Sequence, residues 1–264
     1  MAFLDDITLG HYYPGNSFLH RLDPRSKLLS CLFVTTSLLL VDAVPRLALF
    51  VGLGILLWRL SGVPAAAYLK NLKAFLFLFV LAFAVHALQM RWSAAFPFLH
   101  VGISSGGVVD GVRYTLRLGL VIHMASVLTM TTTPLALTDG LERLLAPLKR
   151  LKVPIHEFAL MMMLTLRFVP ILTREADRVR NAQLSRGLAI QGGLVRRIKT
   201  VTPMVLPLLF SAIRRAEELA VAMEARGYRV GEPRSSFQKL AWTRADSTVL
   251  AVAGWLVAGL IWLP

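Results

Sequence analysis

The sequence predicts an all-α integral membrane protein with about five transmembrane helices and a cytoplasmic block of long amphipathic helices. Three observations predict this class. Hydrophobic residues make up 56% of the 264, the mean hydropathy is +0.62, and the apolar excess lies in long runs. The formal net charge of +14 is concentrated in one section of the chain. Within that section, two long stretches have helical spacing and end in charged residues.

Five apolar stretches match the length that a helix needs to cross a bilayer core of about 30 Å when flanking groups snorkel. They are residues 28–41, 48–60, 74–88, 114–133 and 248–263. The first two are short and separated only by DAVPR, which predicts a tight helical hairpin. The chain then divides into a membrane domain at 1–133, a cytoplasmic block at 134–244 and the last span at 245–264. Trp255 and Trp262 are typical of interfacial anchors.

The distribution of charge predicts the orientation. Residues 134–244 hold 19 of the 29 Lys and Arg residues against 9 acids. The positive-inside rule places such a section in the cytoplasm. Counting outward through the spans also puts the basic segment HRLDPRSK, and with it the N-terminus, inside.

The cytoplasmic block contains two further apolar stretches, FALMMMLTLRFVPIL and VTPMVLPLLFSAI. Each is short for a span and is interrupted, the first by Arg167 and Pro170 and the second by two prolines. We interpret them as apolar halves of amphipathic helices that lie against the membrane domain. The alternative is that these two stretches are themselves spans. Because two spans are added together, the orientation of the other segments would stay the same.

Three helices are predicted in the block. The first begins at a Thr138 or Asp139 cap. The second is opened by Pro154 and runs to about residue 186, and the third runs from about 194 to 226 after the break at Gly192-Gly193. Helices of roughly 30 residues are about 45 Å long, so each can begin at the membrane and end in the cytoplasm.

The second and third of these helices end on the same dipeptide. Arg186-Gly187 and Arg226-Gly227 place glycine where a helix end needs a left-handed residue, and arginine at the negative end of the helix dipole. Each alone is an ordinary C-cap. The pair, on two similar helices, predicts two equivalent cationic tips for a partner with two equivalent acidic grooves.

Several chemistries lack a signature in the sequence. There is no phosphate-binding loop of glycines with Lys and Ser or Thr, so we do not expect the chain to hydrolyse a nucleotide. Cys31 is expected to be a small buried residue, and no metal site is predicted. His86 and His123 are expected to pack between helices, with metal or proton stations as the alternative. The basic block lacks aromatic interleaving, so anionic lipid and acidic protein grooves explain it better than nucleic acid.

The triple Met161-Met162-Met163 points to more than one side of its helix. Methionine forms adaptable apolar surfaces that pack against different partners, and it also fills gaps in ordinary cores. Both interpretations stay open for these residues. At the N-terminus, Asp23 is expected to cap and Pro24 to open the first long helix.

Four segments resemble the transmembrane T component of energy-coupling factor transporters, a family of ABC importers for vitamins or metal ions. They are GHYYPGNSFLHRLDPRSKLL, TTPLALTDGLERLLAPLKRLKVP, FALMMMLTLRFVPILTREADRVRNAQLSRG and AEELAVAMEARGY. The last two are similar to the family's two Ala-Arg-Gly helices and occur in the same order. The first motif here departs from the family, because Ser185 replaces alanine.

The resemblance implies a non-catalytic coupling subunit in the cell membrane of a prokaryote. It implies that Ser185-Arg186-Gly187 and Ala225-Arg226-Gly227 each contact one of two ABC-type ATPase subunits, which use ATP and Mg. It implies a further partner, a small membrane-embedded S component that binds the substrate and contacts the three methionines. This chain itself is then expected to bind no cofactor.

Two other functions remain as alternatives. The first is a self-sufficient secondary transporter or channel with Arg113, Arg117 or His123 in its pathway. The spans show no internal repeat and few acids, which many such folds use. The second is a membrane scaffold or regulator with no transport role.

Overall fold

The computed structural model of the chain describes residues 12–41, 44–91, 100–103, 105–187, 194–229 and 241–262. The predicted helical class is confirmed within these ranges, with one short hairpin in addition. In chain order the elements are α1 (Phe18–Arg21), α2 (Pro24–Leu40), α3 (Val44–Ser61), α4 (Ala65–Ala74), α5 (Leu76–Ala87), β1 (Leu88–Arg91), β2 (His100–Ile103), α6 (Ser105–Thr131), α7 (Pro134–Leu145), a 3-10 helix (Ala146–Leu151), α8 (Ile155–Ser185), α9 (Leu194–Ala225) and α10 (Arg244–Trp262).

The described residues fall into two compact units. One, the helical core unit, holds residues 12–141 and 241–262, so the last helix joins the first six helices. The other, the long-helix unit, holds residues 142–229 and consists mainly of α8 and α9.

The helical core unit is organised around α2 and α6. Helix α2 begins as predicted, since Asp23 Oδ1 accepts a hydrogen bond from Arg25 N at 2.9 Å and Pro24 occupies the first helical position. Helix α2 packs against α6 and α10, and α3 packs against α6. Leu38 and Phe50 lie at this junction with no exposed surface. The four helices therefore share one hydrophobic core.

Helices α4 and α5 form a bent pair. Their axes differ by 54° at the break around Phe75. Helix α5 lies close to α6, because a Cβ atom on Gly111 would stand only 3.1 Å from the carbonyl oxygen of Phe83. The opposite side of α5 is apolar and exposed, with Phe77 at 78% exposure and Val85 at 62%. An apolar face of this kind is typical of a lipid-facing helix.

A short hairpin precedes α6. Strand β1 pairs antiparallel with β2, with Leu88 opposite Ile103 and Arg91 opposite His100. The sequence analysis predicted no strands here, because four-residue strands carry little periodic signal. Helix α6 also begins at Ser105, well before the predicted residue 114.

The predicted start of α7 is wrong. The helix begins at Pro134, and Thr133 Oγ1 accepts a hydrogen bond from Ala136 N at 3.3 Å. Thr138 lies inside the helix, where its hydroxyl donates to the Pro134 carbonyl at 3.0 Å. Proline at the first position of a helix, directly after a threonine, was the signal that decided the start.

Helices α8 and α9 have the predicted lengths. They contain 31 and 32 residues, and each continues through internal proline, Pro170 in α8 and both Pro203 and Pro207 in α9. Pro154 is the N-cap residue of α8 as expected. The predicted break at residues 192 and 193 lies outside the described residues.

Within the described ranges, α8 is the one helix that is long and apolar enough by itself to cross a membrane. The number rises to three if two bent pairs, Ala65–Ala74 with Leu76–Ala87 and Gly106–Thr131 with Pro134–Leu151, each count as one span. By this test of the described residues, the candidate spans are fewer than the five predicted. Helix α8 passes it by length and composition, which agrees with the alternative of additional spans in this block.

Candidate functional site

The C-terminal end of α8 carries the first predicted tip. Arg186 N donates to Gln183 O at 3.1 Å, and Gly187 N donates to Leu184 O at 3.0 Å. Gly187 has a φ of 87°, in the left-handed region where a residue with a Cβ is strained. The helix therefore ends at the predicted dipeptide for the predicted reason.

The C-terminal end of α9 has the same geometry. Arg226 N donates to Met223 O at 3.1 Å, Gly227 N donates to Glu224 O at 2.9 Å, and Gly227 has a φ of 75°. Tyr228 N also donates to Met223 O at 3.0 Å, which completes a Schellman motif. The two ends thus share the hydrogen bonds of the arginine and glycine N–H groups and the positive φ of the glycine.

All six residues of the two tips are exposed, namely Ser185, Arg186, Gly187, Ala225, Arg226 and Gly227. Among the described residues, no atom beyond the two chain neighbours lies within 4 Å of the position that a Cβ atom would take on either glycine. Across the described part of the chain, neither guanidinium forms a hydrogen bond or ion pair. The Ser185 hydroxyl donates to Asn181 O at 3.1 Å, so the serine that replaces alanine is satisfied within its own helix. Both arginines are therefore open to a partner.

The polar halves of α8 and α9 contact each other. Glu175 Oε2 lies 3.5 Å from Arg215 Nη2 on α9 and 3.6 Å from Arg178 Nη1 on its own helix. The Glu175 side chain is only 22% exposed, so the interhelical pair is partly shielded from water. This contact joins the two helices between their apolar halves and their tips.

The three methionines lie near the start of α8. Met161 is 60% exposed and Met162 is 41% exposed, whereas Met163 is half-buried. Phe158, one turn earlier, is 58% exposed. The methionines thus belong to an exposed apolar surface, and they do not simply fill a gap in a core.

A buried polar cluster in the helical core unit was missed by the sequence analysis. Asp246, at the start of α10, has no exposed surface and lies between α2 and α10. Its Oδ1 accepts from Asp23 N at 2.8 Å and from Ser26 Oγ at 2.7 Å. Its Oδ2 accepts from the backbone N and Oγ1 of Thr243, at 2.8 and 2.6 Å. This carboxylate joins the LDPRSK segment to the last helix.

The environment of Asp246 favours its charged form. Burial disfavours the charge, but the hydrogen bonds from Thr243, Ser26 and Asp23 outweigh burial and hold the pKa of Asp246 below its ordinary value. Beside it, Asp23 forms an ion pair with Arg25 at 3.0 Å and raises the pKa of that guanidinium. Arg25 also lies 5.5 Å from the centre of the Trp242 ring. The cluster is electrostatically satisfied.

Two histidines in the helical core unit are engaged in helix packing. His123 Nε2 donates to Gly54 O at 2.9 Å, and its ring meets Tyr68 edge-on. His86 Nδ1 donates to Ala82 O at 2.8 Å, and its ring stacks on Tyr114. Among the described residues, no group of three or more His, Cys, Asp or Glu side chains could hold a metal ion.

Comparison with known proteins assigns the chain to a family. The family model described as cobalt transport protein matches residues 15–237, which include the LDPRSK segment and both arginine-glycine tips. The chain belongs to this family.

Curated relatives of the family carry a more specific name. The energy-coupling factor transporter transmembrane protein EcfT of Bacillus subtilis is 41% identical over 249 residues, which cover 94% of each chain. EcfT of Brevibacillus brevis is 42% identical over 261 residues, 98% of each chain, and EcfT of Acidaminococcus fermentans is 41% identical over 245 residues, 92% of this chain and 91% of its own. The resemblance to transmembrane T components is confirmed, and so is a location in a membrane.

Proposed function

We propose that the chain is the coupling subunit of an energy-coupling factor importer for a vitamin or a metal ion. It links ATP-driven closure of two ATPase subunits to the reorientation of a membrane-embedded S component. The observation that carries the proposal is the equivalence of two exposed tips, Arg186-Gly187 and Arg226-Gly227, in hydrogen bonding and glycine conformation. Two equivalent tips suit two copies or homologues of one partner.

Each tip arginine would insert into an acidic groove of one ATPase subunit. A hydrogen bond to a charged group is worth about 1.5–3 kcal/mol when it is shielded, whereas a solvated surface ion pair is worth about 0–1 kcal/mol. A groove that removes the guanidinium from water therefore gives a contact strong enough to transmit force. The glycines favour this fit, because no atom of the described chain crowds the space beside either one.

Helices α8 and α9 would transmit movement of the ATPases. Each is more than 30 residues long, and the partly shielded Glu175–Arg215 contact ties them together behind the tips. When ATP and Mg bind the partner ATPases and these close, the tips would approach each other. The apolar halves of the helices would then shift as a pair.

The S component would rest on the apolar halves of these helices. Met161 and Met162 expose a flexible apolar surface on α8. Helix α9 exposes a comparable set of side chains, Val205, Leu206, Leu209, Phe210 and Ile213. Methionine-rich surfaces repack against changing partners, which a subunit that holds and then releases another must do. In this arrangement the N-terminus and both tips lie in the cytoplasm, and the chain binds neither substrate nor cofactor.

The geometry favours coupling over a self-sufficient transporter. The Arg117 guanidinium donates to the Val41 carbonyl at the end of α2, and its charge lies 5.4 Å from the centre of the Tyr114 ring. Arg113 pairs with Asp110 at 3.4 Å, and His123 binds the Gly54 carbonyl. Arg117 and His123 thus make contacts between helices, and Arg113 is paired within α6, which argues against a role of these side chains in a solute pathway.

Co-purification of the ATPases tests the proposal. The variant carries both Arg186→Glu and Arg226→Glu and is purified from its native membranes. The control carries Arg174→Glu and Arg214→Glu, which change the charge of the same helices at exposed positions twelve residues before each tip, about 18 Å away. We expect the tip variant to lose both ATPases and the control to keep them. Retention of the ATPases by the tip variant would refute the proposal.

A further inference from the structure

A cavity of about 240 Å³ lies inside the helical core unit. It is larger than the roughly 150 Å³ apolar cavity that is known to hold benzene. Helices α1, α2, α3, α6 and α10 supply its walls, mainly with Leu, Val and Met side chains. Its lining includes members of two hydrophobic clusters, one containing Leu19 and Val127 and the other containing Val34 and Met124. The cavity therefore borders both clusters.

The polar groups of the cavity lie at one end. Lys27, Ser30, Thr131 and Thr248 all line it, and they come from the start of α2, the end of α6 and the start of α10. Lys27 Nζ donates to Thr131 O at 3.2 Å and so joins the start of α2 to the end of α6. The cavity is thus polar at the end marked by Lys27 and apolar beyond it. An amphiphilic molecule has the same division.

Lys27 has unused capacity for an anion. Its side chain is 6% exposed, and within the described residues its ammonium group donates only to Thr131 O and to Thr132 Oγ1, at 3.2 and 3.1 Å. An ammonium group has three donors, so one remains. Asp23 pairs with Arg25 and Asp246 accepts four hydrogen bonds. Both charges attract Lys27, but among the described residues neither carboxylate forms an ion pair with it.

The cavity opens sideways between two helices. Leu56 on α3 and Val252 on α10 both line it, yet they are 53% and 56% exposed. The sequence predicts that both helices cross the membrane, and on that prediction the opening would face the hydrocarbon of the bilayer. An acyl chain could enter from the membrane without crossing water.

We propose that the cavity holds an acyl chain of an anionic phospholipid, with its phosphate next to Lys27. The apolar lining, the lateral opening and the buried cation all fit this occupant. A zwitterionic lipid has the same acyl chains, but its own cation compensates the charge of its phosphate. Its attraction to Lys27 is therefore weaker. The lipid would join α2, α3, α6 and α10, and this role does not depend on the ATPase contacts.

Lipid retention by the purified full-length chain tests the proposal. The chain is extracted in a non-ionic detergent with any partners that accompany it, incubated with equal amounts of phosphatidylglycerol and phosphatidylcholine, and passed through gel filtration. Mass spectrometry then counts the phospholipid per chain. We expect about one phosphatidylglycerol per chain, and we expect Lys27→Gln to lower its preference over phosphatidylcholine about fivefold. Lys70→Gln, at an exposed lysine of α4, is the control and should change nothing.

A second variant tests the location without disturbing the buried lysine. Leu56→Trp narrows the opening, whereas Leu49→Trp alters the same helix at an equally exposed position that does not line the cavity. We expect Leu56→Trp alone to reduce retention. The proposal is overturned if the native chain retains no phospholipid or retains both lipids equally, or if Leu56→Trp and Leu49→Trp behave alike.

Discussion

Arg186 and Arg226 occupy the same position at the ends of two different helices. Each donates its backbone N–H over 3.1 Å to the carbonyl three residues earlier, and each precedes a glycine with positive φ. The side chains are exposed at both ends. This repeated arrangement is the basis of the coupling function proposed for the chain.

Replacement of the tip glycines should weaken the ATPase contact without removing charge. Gly187→Ala and Gly227→Ala each introduce a Cβ at a left-handed position, which costs about 1–2 kcal/mol. We expect the last turn to fray and the ATPases to be recovered in lower amounts, by about tenfold for the double variant. Co-purification under increasing salt measures the effect.

A glycine inside a helix provides the control for that experiment. Gly254 in α10 has no atom within 4 Å of a Cβ position. Gly254→Ala should therefore stabilise its helix by about 0.5–1 kcal/mol and leave ATPase recovery unchanged. Equal recovery from all three glycine variants would show that the left-handed turns do not matter for the partner.

Removal of the buried Asp246 carboxylate should destabilise the helical core unit. Asp246→Ala leaves the backbone N–H groups of Asp23 and Thr243 without their acceptor, and each loss of a hydrogen bond to a charged group costs about 1.5–3 kcal/mol. Thermal unfolding in detergent measures the change. Asp110→Asn, which affects an exposed ion pair with Arg113, should cost less than about 1 kcal/mol. Similar losses in the two variants would contradict the account of this cluster.

The same carboxylate predicts a pH dependence of stability. The pKa of Asp246 is lower in the folded chain than its ordinary value of about 3.9. Its contribution is therefore complete above that value and is lost as the pH falls through the lower, folded pKa. We expect native stability to drop below about pH 4, and to drop less in Asp246→Asn. Parallel pH curves for the two proteins would show that Asp246 is not the titrating group.

Close packing of α7 on the start of α2 gives another prediction. A Cβ on Gly140 would lie 3.0 Å from Pro24 Cβ and 3.3 Å from its carbonyl carbon, and neither atom can move easily. Gly140→Ala should therefore destabilise the chain by about 1–3 kcal/mol, as overpacking does. Gly254→Ala serves again as the control in thermal unfolding. A stabilised Gly140→Ala would mean that α7 can move away from α2.

Local chemistry explains which features were predictable from sequence. The ends of α8 and α9 were found because glycine after arginine is a signal confined to a few residues. The cap at Asp23 was found for the same reason. The Asp246 cluster was missed because its partners, Asp23 and Ser26, lie more than 200 residues away in the chain. Such contacts depend on how α2 and α10 pack, which local patterns do not encode.

The bounds of the long helices were less predictable for a related reason. Hydropathy identified the apolar segments, but the length of each helix depends on its neighbours. Helix α2 stops after 17 residues, whereas α8 continues to Ser185 through Pro170. A proline inside a helix was interpreted as an interruption, although packing can tolerate it. The start of α7, by contrast, did have a local signal. Thr133 followed by Pro134 is typical of a helix start, and the prediction did not use it.

Site-specific photocrosslinking tests the central claim most directly. A photoreactive amino acid is placed at position 186 or 226, one at a time, and in controls at 174 or 214, within intact membranes. The account predicts that both tip positions crosslink to ATPase subunits and that neither control position does. If either tip position crosslinks only to lipid or to this chain itself, the claim of two equivalent ATPase contacts is wrong.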